Sequence, residues 1–188
     1  MVAAEPPAAL QLVLGAARSG KSRWAEHLAA SSGLEVVYVA TGPGRPGDGA
    51  WQQRLQRHRE RRPSSWQTRE ISDPFALLAG LSSLSQQQLA LVDSLGSWVA
   101  GALDLDAPAW HGLCEQLLAG LDQLTCPLVL VSEQTGWGVV PPTAIGGLFR
   151  DRLGMIERLL VAQAHTTWLV VAGRALNLTA LGHPVPAD

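Results

Sequence analysis

The chain has 188 residues, 47% of them hydrophobic, and a formal net charge of −2 at pH 7. That length suits about one domain on the usual prior of roughly 100–200 residues, and the apolar content supplies its core. The charge balance excludes bulk attraction to nucleic acid, so no nucleic-acid partner is expected. No run approaches the roughly 18 unbroken apolar residues of a membrane helix, so no stable membrane insertion is expected either. Cys114 and Cys126 are too few for a disulfide scaffold and fit no zinc spacing. They read as core thiols of a cytoplasmic protein. No basic segment precedes an apolar one at the N-terminus, so no signal peptide is read.

Residues 1–9 read as a flexible tail and residues 10–180 as one nucleotide-binding domain. Leu10–Leu14 is a short apolar run that predicts a buried strand. A glycine-rich turn follows, then a helix over 21–30 with apolar residues at helical spacing. Val36–Ala40 predicts a second strand, and Thr41–Gly49 a loop. A helix is expected over 50–62 and another over 75–84, the latter opened by Asp73 as N-cap and Pro74 in the first turn. Leu89–Asp93 predicts a third strand that ends in a carboxylate. Helices over 94–103 and 108–124, a strand over 127–132, a loop over 133–147 and a helix over 148–164 follow. A fifth strand is expected over 167–172, with Gly173 onward as tail. Strands alternating with helices predict an α/β domain with a mainly parallel sheet.

Of the fourteen basic residues, Lys21 alone is lysine. A position that keeps lysine in so arginine-rich a chain needs a compact ammonium rather than a planar fork. Lys21 stands in Gly15-Ala16-Ala17-Arg18-Ser19-Gly20-Lys21-Ser22, a full match to G-x-x-x-x-G-K-[ST] between a predicted strand and a predicted helix. The glycines let the backbone wrap a phosphate tail, and the helix start faces it. Lys21 is placed to reach the β- and γ-phosphate oxygens, and the Ser22 hydroxyl to join a Mg²⁺ shell. Asp93, at the end of its strand, is a second Mg²⁺ candidate; the alternative is a helix N-cap.

Six arginines fall between Arg54 and Arg69, with Glu60 and Glu70 the acids beside them. A solvated helix face is the plain reading of such a run. His58 sits inside it, where neighbouring cations disfavour its protonation. A neutral imidazole is the nucleophilic form, and arginines around it suit a triphosphate under attack at its α-phosphorus.

Seven segments, in order, resemble the bifunctional adenosylcobinamide kinase/adenosylcobinamide-phosphate guanylyltransferases. They are GAARSGKS at 15–22, VVYVATG at 36–42, RLQRHRERRPSSWQTRE at 54–70, LALVDSLGSWVAGAL at 89–103, TGWGVVP at 135–141, FRDRLG at 149–154 and LVVAGRALNL at 169–178. The arginine-flanked histidine followed by Trp66, Thr68 and Glu70 is more specific than the phosphate motif. So is the glycine loop with Phe149-Arg150-Asp151 downstream. The resemblance implies a RecA-like P-loop NTPase fold and two activities. One is phosphorylation of the aminopropanol hydroxyl of adenosylcobinamide. The other is GMP transfer from GTP to that phosphate through guanylylated His58. It implies nucleotide contacts at Gly15 to Ser22, at Ala40, Thr41 and Gly42, at Arg59, Glu60, Arg61 and Arg62, and at Glu70 and Asp93. Mg²⁺ is the expected cofactor, ATP and GTP the nucleotide substrates, a corrinoid the other substrate, and a homo-oligomer the expected assembly.

The chain departs from the family pattern at three places. Ala50-Trp51 replaces an acid–Met pair, Glu133-Gln134 replaces Asn-Glu, and Glu157-Arg158 replaces Asn-Gln. Two alternatives stand beside the bifunctional reading: a P-loop kinase of another small alcohol, and a non-catalytic nucleotide-sensing subunit. Trp137, between two glycines in a loop, is expected to pack on a ligand or on a neighbouring subunit. His27, His111, His165 and His183 show no metal spacing.

Overall fold

A computed structural model describes residues 10–42, 56 and 62–186. The described residues form strands β1 (Leu10–Gly15), β2 (Glu35–Ala40), β3 (Gln67–Glu70), β4 (Gln88–Asp93), β5 (Leu128–Glu133), β6 (Thr166–Val171) and β7 (Arg174–Asn177). The helices are α1 (Lys21–Ala30), α2 (Leu77–Ser82), α3 (Leu95–Gly101), α4 (Ala107–Leu121), α5 (Ala144–Gln163) and α6 (Leu178–Leu181), with a 3₁₀ turn at Pro74–Ala76 leading into α2. The predicted helix over 50–62 lies outside the described residues.

The strands build one sheet in the order β3-β2-β4-β5-β1-β6-β7. Every pairing is parallel except β6 with β7. The inner strands are continuous apolar runs because both faces are covered. On one face α1 sets Ala25 and Ala29 against Val13, Leu91, Val129 and Val131. On the other, α2 to α5 bring Leu77, Trp98, Leu117, Ile156 and Leu160 over Leu12, Val39, Val92 and Leu130. Each such buried aliphatic side chain contributes about 1.5–3 kcal/mol through removal from water.

The helix starts are fixed by side-chain caps. Asp73 accepts from Phe75 N, Asp106 from Ala109 N and Thr143 from Gly146 N. Three expectations are corrected. β3 was not foreseen. The loop over 133–147 is shorter than expected, because α5 begins at Ala144. The chain beyond Gly173 is not tail: Ala172 and Gly173, at φ 49° and 74°, turn β6 back into β7. Two successive positive φ values are what a two-residue hairpin turn requires.

Chain direction places the site. Parallel strands share one carboxyl end, and there the loops after β1, β2, β4 and β5 converge.

Candidate active site

β1 ends at Gly15, and the loop after it feeds the N-terminus of α1. Arg18 and Gly20 both take positive φ, 60° and 101°. Gly20 caps the helix in this left-handed conformation without the penalty a Cβ would bring. Gly15 answers a different need: a Cβ there would lie 2.5 Å from Ser19 Oγ and 2.7 Å from the Val170 carbonyl oxygen. Ser19 is held from three sides. Its N–H donates to Ala16 O at 3.2 Å, its Oγ accepts from Lys21 N at 3.3 Å, and its carbonyl accepts from Gly173 N at 3.2 Å. The first turn of α1 carries no acid, which leaves its positive end open to an anion. Lys21 opens the helix and is only 4% exposed.

Asp93 closes β4, two strand positions from β1 and so about 10 Å across the sheet. Its Oδ2 accepts from Tyr38 Oη at 3.1 Å. Burial, reinforced by the Asp93 charge, raises the Tyr38 phenol far above its ordinary range, so it remains a donor. The Arg62 guanidinium lies 3.7 Å from the Tyr38 ring centroid, and its Nη1 donates to Thr68 Oγ1 at 3.4 Å. Asp93 is not the helix cap: Ser94 is, through its Oγ accepting from Ser97 N.

β5 lies between β4 and β1 and ends in Glu133, the register partner of Gly15. Gly96 N donates to Glu133 Oε2 at 3.1 Å, and the Ser94 hydroxyl donates to the same carboxylate. Burial raises the carboxyl group above its usual range, with the Ser94 bond and the Lys21 charge pulling the other way. Ser132 and Gln134, the neighbours of Glu133, point to the opposite face, as strand alternation demands. There Ser132 Oγ donates to Glu157 Oε1 at 2.6 Å and Gln134 Nε2 donates to Glu157 Oε2 at 2.9 Å. Two departures from the family pattern, at 134 and 157, are therefore hydrogen-bonded to one another.

The structure brings Gly15 to Ser22, Asp93 and the unforeseen Glu133 to one end of the sheet. Glu70 closes β3, four strand positions from β1 and about 19 Å away. It shares that outer region with Arg62 and with Ala40, its register partner. Thr41 is 1% exposed, and its hydroxyl is occupied: Oγ1 accepts from Ser94 N at 2.9 Å and donates to Ser94 O at 2.5 Å. Its side chain clamps two loops together. His58, Arg59, Glu60 and Arg61 lie outside the described residues. Tyr38 and Glu157 carried no motif signal of their own; Glu133 and Glu157 were visible only as departures. Trp137 is 67% exposed, beside the exposed Val139 and Val140.

The model of the cobinamide kinase / cobinamide phosphate guanyltransferase family matches residues 11–178. The chain belongs to that family. It is 41% identical over 169 residues to the bifunctional adenosylcobalamin biosynthesis protein CobP of Pseudomonas aeruginosa, covering 89% of this chain and 95% of the relative. It is 31% identical over 181 residues to the bifunctional adenosylcobalamin biosynthesis protein CobU of Escherichia coli, covering 89% and 98%. Among solved structures it resembles an ATPase of a bacterial type III secretion system, with a TM-score of 0.61 at 10% identity, covering 95% of this chain and 59% of that one. It also resembles the flagellar accessory protein FlaH of Methanocaldococcus jannaschii, with a TM-score of 0.51 at 14% identity, covering 95% and 82%. These likenesses bear on the fold alone, which is of the RecA-like P-loop type. Among the described residues, no helix is long and apolar enough to cross a membrane.

Proposed function

We propose that the chain phosphorylates the aminopropanol hydroxyl of adenosylcobinamide with a nucleoside triphosphate, then transfers GMP from GTP to the resulting phosphate by way of a guanylylated His58. The observation that carries the kinase half is the loop from Gly15 to Ser22, with Lys21 at the start of α1 and Asp93 across β5. The family match over residues 11–178 carries the pairing of the two activities.

In the first reaction the phosphate tail lies on the main-chain N–H groups of Ala17 to Ser22, with Lys21 balancing charge on the transferred group. The Ser22 hydroxyl and the Asp93 carboxylate are hard oxygen donors suited to Mg²⁺. Among the described residues no group of three His, Cys, Asp or Glu side chains gathers to hold a metal. Held by Ser22 and Asp93, Mg²⁺ would supply positive charge against the phosphate oxygens during transfer. In the second reaction His58 attacks the α-phosphorus of GTP, pyrophosphate leaves, and the corrinoid phosphate then displaces the histidine. Dividing one displacement into two is what the nucleophile contributes. Arg59, Arg61 and Arg62 supply charge for the triphosphate, alongside Glu60 and Glu70 at the nucleotide. ATP and GTP both serve as substrates. The working form is a cytoplasmic homo-oligomer, and Trp137 packs on a ligand or a neighbouring subunit, which its exposure favours.

The test is mass spectrometry of the protein after incubation with GTP and Mg²⁺. A single GMP-sized gain on His58, lost in His58→Ala while corrinoid phosphorylation persists, is the expected result. A label that survives in His58→Ala would remove the histidine from the mechanism. Trp137→Ala should weaken corrinoid binding or change the oligomer's mass; no change in either refutes its assigned role.

A further inference from the structure

We propose that Glu133 is the catalytic base of the phosphoryl-transfer half, accepting the proton of the attacking corrinoid hydroxyl. The inference rests on the kinase reading above and names a residue for it.

Among the described residues, Asp93, Glu133 and Glu157 stand toward the phosphate-loop end of the sheet, and their geometry separates them. Asp93 lies two strand positions from β1, farther from the phosphate loop, and is the carboxylate assigned to Mg²⁺. Glu157 is on the far face of the sheet, held there by Ser132 and Gln134. Glu133 is on the strand adjacent to β1, in register with Gly15, and Gln134 N donates to Gly15 O at 3.0 Å. It is therefore tied to the first residue of the phosphate loop, between that loop and Asp93. Lys21 and Asp93 both act on it electrostatically. Gly96 N and the Ser94 hydroxyl hold the carboxylate in one orientation. Gly96 is required for this: a Cβ there would collide with Glu133 Oε2.

In the step proposed, the corrinoid hydroxyl oxygen forms a bond to the γ-phosphorus. The bond from that phosphorus to the β–γ bridging oxygen breaks, and its electron pair leaves on the nucleoside diphosphate. The hydroxyl proton passes to Glu133. Burial makes this carboxylate a better proton acceptor than an exposed one.

The experiment compares wild type, Glu133→Gln and Glu133→Asp with adenosylcobinamide and ATP or GTP. Affinity for a fluorescent nucleotide and formation of the protein-bound GMP adduct are measured in parallel. The amide of Glu133→Gln can still accept from Gly96 N, so the loop should hold. Expected is a fall in kcat of about 10²–10⁴-fold, with nucleotide affinity and GMP adduct retained and partial recovery in Glu133→Asp. Active wild type beside a Glu133→Gln whose kcat stays within about threefold overturns this inference alone. Parallel loss of nucleotide affinity and adduct also overturns it, because Glu133 is then a brace of the nucleotide site. Wild type that phosphorylates no adenosylcobinamide overturns the kinase reading and this inference with it.

Discussion

Glu157 is half-buried on α5, and its carboxyl group is pushed up to about 7, chiefly by burial, against the bonds from Ser132 and Gln134. Unfolded, it titrates near 4.5, so the folded chain binds its proton more tightly. The stability it contributes is complete below about pH 4.5 and is lost as the pH rises through about 7, on the order of 3 kcal/mol in all. Glu133 shifts in the same direction. Glu157→Gln removes the titration but keeps a polar partner for Ser132 and Gln134. Its urea midpoint should fall less steeply than that of wild type between pH 5 and 8, and should be the higher at pH 8. The two thiols make a separate test. Burial pushes Cys114 up to about 11 and moves Cys126 the same way. An aromatic disulfide reagent at pH 8 should titrate neither thiol in the native protein and both in denaturant. At Lys21 the expectation is kinetic. Lys21→Ala removes the ammonium that meets developing charge, and kcat/KM for phosphorylation should drop by about 10²–10³-fold. A matching drop in GMP-adduct formation is expected if one loop serves both reactions.

The β6–β7 turn illustrates how a local backbone demand reaches the site. Ala172 holds φ 49°, a conformation costly for alanine, and Gly173 beside it donates to Ser19 O in the phosphate loop. Asparagine tolerates this region and is common at the first position of such turns. Ala172→Asn should raise stability by about 0.5–1 kcal/mol in chemical denaturation, with nucleotide affinity unchanged. The same turn shows where sequence patterns stop being informative. Inner strands such as Leu10–Leu14 and Leu89–Asp93 announce themselves as apolar runs because both faces are covered. β3 (QTRE) and β7 (RALN) are edge strands with mostly exposed or half-buried residues, so no run marks them. The true start of α5 was hidden by Gly146 and Gly147, which read as loop although Thr143 caps a helix there. The placement of Gly15 to Ser22 at the β1–α1 junction and of Asp93 at the end of β4 was legible because a glycine-rich turn and a strand-end acid are local patterns. The roles of Tyr38, Glu133 and Glu157 were not, because each depends on strand pairing across long sequence separations. Thr41, a nucleotide contact on the family resemblance, also bonds Ser94 through its hydroxyl, which sequence patterns do not reveal.

Across the whole molecule, the two faces of the sheet divide the labour. Tyr38 lies on the face under α1, and the phosphate loop, Asp93 and Glu133 gather at the carboxyl edge of the sheet, where Gly96 of α3 reaches Glu133. The opposite face, under α2 to α5, is the larger apolar core and carries the Glu157 network. The strand that holds the phosphate loop is the earliest of the seven to leave the ribosome, yet its two neighbours, β5 and β6, begin only at Leu128 and Thr166. Contacts so distant along the chain close slowly and late. A nascent chain carries the whole glycine–lysine signature long before it owns a partner for the strand beneath it. Release at residue 165 should therefore yield a polypeptide blind to a fluorescent nucleotide, despite an intact motif. Nucleotide can act as a folding ligand only once β5 and β6 have been made, and grip on phosphate in this architecture depends on strands encoded far downstream of the motif itself.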